Sequence, residues 1–346
     1  MRELVATLDE WARGDAEVGL ATVVRTSGST PRPAGARLAV TRDGRMVGSV
    51  SGGCLEGAVV AEVQATLEGR APARILHYGI SDEMGWQVGL SCGGSVDVLV
   101  ETLRWDGSDP VLAATREALL ANRGVALLSV LEGERVGTRA ALVEGGGWTH
   151  GPGGDRLPAV LVAPVAQRLR TGSAGVEMAE GVPVFVDALV PTPHLAIVGA
   201  VDIATFLTRM AAAAGHRVTV VDPRRAFLTA ERFPDADGLR ASWPHEALPS
   251  LGLGPRDAAV CLAHDPKIED PALTFLTRSP VGYVGAIGSR RTHAARVARL
   301  REAGLGEDEL VRIHSPVGLA LGAATPAEIA VAILAEMVAV RRAPRA

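Results

Sequence analysis

Residues 194–222, HLAIVGAVDIATFLTRMAAAAGHRVTVVD, decide the fold of this chain. Their first five residues, 194–198, are apolar enough for a short buried strand, and a turn at Gly199-Ala200 leads into a helical pattern over 203–214. After Gly215, residues 217–221 predict a second strand that ends at Asp222. A strand, a helix and a strand in this order form a βαβ unit, with an acidic residue about 20 positions after the first glycine.

The same alternation continues towards the C-terminus. Strand-like runs at 258–263 and 282–287 are separated by helical patterns, and the capping box Thr325-Pro326-Ala327-Glu328 opens a helix to about residue 340. Alternating strands and helices predict a parallel, doubly wound sheet. We therefore expect an α/β protein in which a mixed α+β N-terminal domain (1–105) and a middle region (106–190) precede a Rossmann-like domain (191–346).

The N-terminal half predicts strands more than helices. Helical patterns cover 1–13, a segment that begins near Cys54, 110–122 and 160–169. The glycine-rich stretch 145–154 predicts a flexible connection. Strand patterns occur at 19–25, 36–41, 46–50, 73–78, 95–102, 125–132, 138–144 and 183–190.

Composition excludes several classes of protein. With 47% hydrophobic and 21% charged residues, the chain is globular rather than disordered. A net charge of -4 gives no reason to expect nucleic acid as a partner. No apolar run approaches the roughly 18 residues of a membrane span, and the N-terminus lacks a signal-peptide core. Three cysteines without a regular framework fit a reducing compartment, so we expect a cytoplasmic protein.

Two of the three cysteines lie in matched glycine-rich motifs, SGGCLE at 51–56 and GLSCGG at 89–94. Glycine lets backbone approach a ligand closely, and a thiolate is a natural ligand for a soft metal or a carrier of sulfur. Cys54 and Cys92 are therefore candidates for holding a metal- or sulfur-containing group. The alternative for each is a small apolar side chain in a packed position. Cys261, inside the apolar run 259–262, is predicted to belong to the core.

The chain resembles the XdhC/CoxI family, accessory proteins for the molybdenum cofactor of xanthine dehydrogenase and carbon monoxide dehydrogenase. The resemblance implies a cofactor chaperone rather than an enzyme: it would bind molybdopterin as cargo, protect it during sulfuration and deliver it to a molybdenum hydroxylase apoenzyme. A cysteine desulfurase and a second copy of the chain are further candidate partners. The segments that carry the resemblance are VRTSGSTPRPAG (24–35), GSVSGGCLE (48–56), GLSCGG (89–94), HDPKIEDPAL (264–273), YVGAIGSRR (283–291), RIHSPVG (312–318) and 325–342.

On this resemblance, Cys54 and Cys92 would ligate molybdenum or protect its sulfur. Amides of the loop around Gly52 and Gly53 would hold an anion, because the loop leads into a helix N-terminus. In the neighbouring stretch 28–32, the side chains of Ser29 and Arg32 could bind the phosphate of the cofactor. The alternative for that stretch is a rigid turn with a surface arginine.

In the C-terminal domain, two sets of residues follow predicted strands, where ligands bind in such sheets. His264 and Asp265 form either an acid/base pair or a simple turn. Ser289, Arg290 and Arg291 open a helix after a glycine-rich run and predict an anion site, the alternative being arginines that only solvate the helix. His314 and Ser315-Pro316 could close the same pocket. The cofactor is expected between the domains, a common location for ligands.

The chain departs from the family at the dinucleotide-like turn. The family usually has Gly-Ala-Gly-His there, whereas this chain has Gly199-Ala200-Val201-Asp202. Val201 places a branched side chain where backbone should meet pyrophosphate, and Asp202 adds negative charge. Both oppose NAD(P). An NAD(P)-dependent oxidoreductase, with Asp222 on a ribose hydroxyl, is therefore the weaker alternative. A sulfurtransferase that carries a persulfide on Cys54 is another. The sequence has neither HExxH nor CxxC, which disfavours a structural zinc site.

Overall fold

The structure is a computed structural model that describes residues 1–15, 17–79, 94–151 and 159–342. The chain forms two compact units, Met1–Pro191 and Thr192–Ala346. Among the described helices, none has the length and apolar character that crossing a membrane requires.

The first unit begins with a five-stranded antiparallel sheet in the order β3-β2-β1-β5-β4. Helix α1 (Val5–Trp11) precedes it, and α2 (Glu56–Leu67) covers one face. Gly19 makes close contact with α2, because a Cβ at this position would lie 2.2 Å from Val63 Cγ1. The strands are β1 (Glu17–Ser27), β2 (Arg37–Val40), β3 (Met46–Gly48), β4 (Arg74–Tyr78) and β5 (Ser95–Arg104).

A second antiparallel sheet, in the order β8-β7-β6-β10-β9, completes this unit. Helices α3 (Pro110–Leu120) and α4 (Val162–Thr171) belong to it. Phe185 and Leu131 pack against Val24 and Leu99 of the first sheet. The strands are β6 (Val125–Val130), β7 (Arg139–Val143), β8 (Trp148–His150), β9 (Ala174–Ala179) and β10 (Val182–Leu189).

Two strands of the second sheet were not expected from the sequence. The supposed flexible connection over 145–154 contains β8, which pairs with β7 through Leu142 and Trp148. Gly145, with φ +75°, supplies the turn of this hairpin. A strand of three residues that follows three glycines is too short to show a hydrophobic periodicity in the sequence. Strand β9 was missed because its alternation is weak: its residues are half-buried except Met178, which is exposed, and Ala179, which is buried.

The second unit is a six-stranded parallel sheet in the order β13-β12-β11-β14-β15-β16. Helices α5 (Asp202–Ala213) and α10 (Pro326–Arg342) pack on one face, and α7 (Pro266–Arg278) and α8 (Arg290–Glu302) pack on the other. The predicted doubly wound α/β sheet is confirmed. Its strands are β11 (His194–Val198), β12 (Arg217–Val221), β13 (Gly238–Arg240), β14 (Ala258–Cys261), β15 (Tyr283–Ala286) and β16 (Ile313–His314), and the short helices are α6 (Pro244–Ala247) and α9 (Glu307–Leu310).

This strand order creates a crevice at the carboxyl ends of β11 and β14. The two strands are neighbours, but the chain leaves β11 towards α5 on one face and leaves β14 towards α7 on the other. Open parallel sheets bind ligands at such a point. The structure therefore places the turn after Val198 and the segment after Cys261 at this crevice.

Two buried histidines make the stability of the second unit depend on pH. His194 Nε2 lies 2.9 Å from Thr219 Oγ1, and Arg217 donates to His194 Nδ1 at 3.0 Å, which fits a neutral imidazole. Burial, with Arg217 nearby, lowers the pKa of His194 to about 4. Burial, with Arg341 nearby, lowers the pKa of His216 to about 4, and neither ring nitrogen of His216 has a hydrogen-bond partner among the described residues.

We predict that the free energy of unfolding falls as the pH drops from about 6.5 towards 4. In this range the unfolded chain binds protons at both histidines and the folded chain does not, so acid favours unfolding. Each histidine should contribute about 2 kcal/mol of loss between about pH 6.5 and pH 5. Urea unfolding near pH 7 and near pH 5 measures the loss, which should be smaller in His216→Leu. The same substitution at exposed His245 leaves both buried imidazoles in place, so their loss of stability in acid should persist. Equal pH dependence in wild type and His216→Leu would contradict the prediction.

Candidate functional site

The topology of the first sheet brings several loops to one end of it. β1, β3 and β4 end there, and β2 and β5 begin there, because Ser27 pairs with Ser95, Gly48 with Leu38 and Tyr78 with Val96. The stretch 28–32 and the loop that contains Cys54 therefore leave the sheet at the same end. Gly94, the last residue of the second cysteine motif, lies against the 28–32 stretch: a Cβ on it would be 2.3 Å from the Ser29 carbonyl oxygen.

Cys54 is exposed in the loop between β3 and α2. The helix begins at Glu56, two residues later than the sequence pattern predicts, so the thiol precedes the first helical turn. Gly52 and Gly53 have φ values of +75° and +122°, a region that other residues rarely adopt. The loop thus needs both glycines for its backbone conformation, and it presents Cys54 at the surface.

The amides of this loop are engaged by a side chain that the sequence analysis did not single out. The Glu56 carboxylate accepts hydrogen bonds from the amides of 50–53 and from the hydroxyls of Ser49 and Ser51. Partial burial alone would raise the pKa of Glu56, but the two hydroxyls and the amides lower it to about 2. An acid three to six residues after these amides was the available signal, because carboxylates are favoured in a first helical turn.

The 28–32 stretch carries the other two predicted residues of this region. Ser29 is exposed and Arg32 is half-buried, with its Nε atom buried and without a hydrogen-bond partner among the described residues. Thr30 Oγ1 donates to the Arg32 carbonyl at 3.3 Å, which stabilises the turn. Ser29 and Arg32 are therefore at the same end of the sheet as the Cys54 loop.

The second predicted thiol, Cys92, lies outside the described residues. Within the described ranges, no group of three or more His, Cys, Asp or Glu side chains could hold a metal ion. Cys261 is fully buried in the core beside α7, as predicted, and burial raises the pKa of its thiol far above its usual value.

In the second unit, residues of the dinucleotide-like turn contact residues that follow the neighbouring strands. Gly199, with φ +108°, approaches Ala263 so closely that a Cβ would lie 2.7 Å from the Ala263 nitrogen. The Ala200 amide donates to Asp222 Oδ2 at 2.7 Å. Arg224 donates to both oxygens of Asp222, from Nε at 2.9 Å and from Nη2 at 2.8 Å. Asp222 is fully buried.

His264 and Asp265 follow β14 at the crevice, and both are exposed. Asp265 accepts from the Lys267 amide at 3.0 Å and caps α7, which agrees with the turn alternative. The hydrogen bonds that Arg224 donates to Asp222 are the main cause of a raised pKa for that guanidinium, and the nearby charge of Asp265 raises it further. The structure thus brings the segments after β12 and β14 together.

Ser289, Arg290 and Arg291 lie where the sequence predicts, at the start of α8. Ser289 is the helix cap: its hydroxyl accepts from the Thr292 amide at 3.1 Å. Arg290 and Arg291 are exposed. Ser289 is exposed as well, and the two guanidinium groups supply the positive charge of this predicted anion site.

A buried ion pair that the sequence analysis missed holds the loops beside these arginines. Arg296, fully buried on α8, donates to Glu269 Oε1 of α7 at 2.5 Å. It also donates to the Ile287 carbonyl at 2.5 Å and to Ser315 Oγ at 2.9 Å, so it links the ends of β15 and β16. The available signal was a charge on an apolar stripe: Glu269 precedes buried Leu273 by four residues, and Arg296 precedes buried Leu300 by four.

We predict that Arg296→Met lowers the free energy of unfolding by about 3 kcal/mol, because the buried Glu269 carboxylate loses its close partner and keeps, among the described residues, the longer 3.4 Å contact to Arg299. Replacing Glu269 with Met as well should recover most of this loss, since the pair is then replaced by apolar side chains. Chemical unfolding of the single and double variants measures both effects. Arg301→Met, which removes an exposed pair with Glu307, is the matched control and should cost less than about 1 kcal/mol. An Arg296→Met loss no larger than that of the control would contradict the prediction.

Comparisons with known proteins agree with both halves of the fold. A model of the XdhC and CoxI family matches residues 11–79, and a model of the XdhC Rossmann domain matches residues 195–337. A protein of Bacillus subtilis described as a probable xanthine dehydrogenase subunit is 29% identical over 97% of this chain and 96% of its own length. The molybdenum cofactor insertion chaperone PaoD of Escherichia coli is 28% identical over 93% of this chain and 83% of its own length.

A solved structure shows the same architecture along the chain. The crystal structure of a xanthine dehydrogenase from Bacillus halodurans matches with a TM-score of 0.77 and 26% identity, covering 99% of this chain and 96% of the other. The two family models together account for more than half of the residues, and they match in the chain order that the motifs predict. This protein belongs to the XdhC/CoxI family.

Proposed function

We propose that this protein binds the molybdenum cofactor as cargo and delivers it to a molybdenum enzyme such as xanthine dehydrogenase. Family membership and the relative named as a molybdenum cofactor insertion chaperone support the proposal. Within this chain, the observation that carries it is the Cys54 thiol, exposed on a loop whose backbone is held by Glu56.

The chemistry of the candidate residues suits this cargo. Molybdenum and its terminal sulfur are soft, and a thiolate is the protein ligand that suits a soft centre. Arginine binds phosphate through paired donors, so Arg32, Arg290 and Arg291 are proposed for the phosphate of the cofactor. Cys92 is proposed as a second thiol, and Ser29, His264, Asp265 and Ser289 as further contacts.

An NAD(P)-dependent oxidoreductase has less support. In a dinucleotide-binding turn, backbone amides face the pyrophosphate and the acid after the second strand faces the ribose. Here the Ala200 amide and the Asp222 carboxylate are bonded to each other, and Arg224 covers the carboxylate. Exposed Asp202 places a carboxylate at the start of α5, where Arg232 pairs with it at 3.2 Å. These residues do not fit a dinucleotide, although the fold is one that often binds it.

We predict that Cys54→Ser lowers the amount of bound cofactor by about tenfold or more, since loss even of an outer-shell partner costs that much in metal affinity. The measurement is molybdenum and pterin per protein after anaerobic purification from a host that makes the cofactor. Wild type should carry both in near-equal amounts. Cys261→Ala removes a thiol from the core and is the matched control, which should keep its cofactor. Full retention by a Cys54→Ser, Cys92→Ser double variant would contradict the role of the thiols.

The exposure of Cys54 also favours a second candidate function, a sulfurtransferase that carries a persulfide. For this function, incubation with a cysteine desulfurase and cysteine should add one sulfur atom to the Cys54 peptide, detected by mass spectrometry. Cys54→Ser is the control and should gain none. A wild-type Cys54 peptide that gains no sulfur would exclude the carrier and leave passive binding of the cofactor.

The remaining parts of the proposal concern the setting of the protein. We propose a non-catalytic chaperone in the cytoplasm, with the molybdenum enzyme as its main partner. A cysteine desulfurase and a second copy of the chain stay predictions from the sequence, as does the division into domains 1–105, 106–190 and 191–346.

A further inference from the structure

The loop before α2 has the geometry of an anion-binding backbone nest. Four successive amides converge on one carboxylate: Oε1 of Glu56 accepts from Val50 at 3.2 Å, Ser51 at 3.0 Å and Gly52 at 3.1 Å, and Oε2 accepts from Gly53 at 2.7 Å. Successive amides that point to a common centre bind phosphate in many proteins. In this chain the anion at the centre is a side chain.

The position of Glu56 explains why its carboxylate reaches the nest. It is the first residue of α2, and Leu55, the residue before it, provides no side-chain cap. A carboxylate in the first turn is stabilised by the positive end of the helix and takes over the capping role. Two serines close the arrangement: Ser49 Oγ donates to Oε1 at 2.6 Å, and Ser51 Oγ accepts from the Leu55 amide at 2.8 Å.

We propose that Glu56 is the residue that determines which ligand groups the Cys54 loop accepts. Its carboxylate occupies the amides that would otherwise bind an external phosphate, and it holds the backbone on which Cys54 is presented. The loop then offers a ligand its thiol and not its amides. The identity of the ligand, the molybdenum cofactor, rests on the proposed function. The exclusion of phosphate follows from the hydrogen bonds to Glu56 alone.

Glu56→Ala tests the proposal by opening the nest. The rate at which iodoacetamide alkylates Cys54, followed on its peptide by mass spectrometry, reports on the loop without any cofactor. In wild type, inorganic phosphate should leave this rate unchanged. In Glu56→Ala, roughly millimolar phosphate should slow alkylation at least about twofold and in a saturable manner, because freed amides at a helix start bind anions. Acetate should do the same, since it replaces the missing carboxylate.

Two further variants keep the test decisive. Glu62→Ala removes another carboxylate of α2, one that pairs with Arg74, and should behave as wild type. Glu56→Gln keeps the side-chain shape without the charge and should show weaker protection by phosphate; it decides the outcome if circular dichroism shows that Glu56→Ala does not fold. Protection of wild-type Cys54 by phosphate would overturn the proposal, and so would a folded Glu56 variant that phosphate does not protect. Both measurements use protein from a host that does not make the cofactor, so failure here and failure of the proposed function are distinguishable.

Discussion

Backbone amides at the ends of strands and at the starts of helices must find an acceptor, and in four of the predicted ligand loops of this chain a side chain supplies it. Glu56 accepts from the amides of 50–53, Asp222 from Ala200, Asp265 from Lys267 and Ser289 from Thr292. Such loops often serve as anion sites in other proteins because their amides await a ligand. Here these amides have acceptors within the chain itself.

Internal acceptors leave side chains as the groups available for binding. At the end of the first sheet the exposed side chains include those of Cys54 and Ser29, and in the second unit they include those of Arg290 and Arg291, with His264 at the crevice. A protein that must release its cargo gains from this arrangement. A thiolate bond to a metal can be exchanged for another ligand, whereas a phosphate enclosed by several amides is held by many bonds that must break together.

The sequence predicted the elements that have a clear hydrophobic periodicity and are bounded by glycine. The βαβ unit at 194–222, the alternation after it and the strands at 36–41 and 46–50 are all confirmed, because apolar runs bounded by glycine leave few alternatives. Strand β8, only three residues long, has no period to recognise. The bonds from Ala200 to Asp222 and from Arg296 to Glu269 also escaped prediction, since each joins segments that only the folded sheet brings together. Residue type was enough to predict Cys54 and Ser289 as site residues. It did not predict which groups accept hydrogen bonds from the amides beside them.

In dinucleotide-binding proteins, some glycines of this turn allow close packing and others allow the close approach of a ligand. The turn after β11 keeps the packing glycine and lacks the one for the ligand. Gly199 is required by packing: its φ is +108°, and a Cβ would collide with the backbone at Ala263. Position 201 carries no such requirement, because Val201 has an ordinary extended conformation with φ −91° and lies half-buried beside the core. A glycine there serves the close approach of a ligand. With Asp222 bonded to the Ala200 amide, no ligand is needed to complete the turn. The fold therefore survives the loss of the second glycine, and its crevice is shaped by the chain's own Asp222 and Arg224.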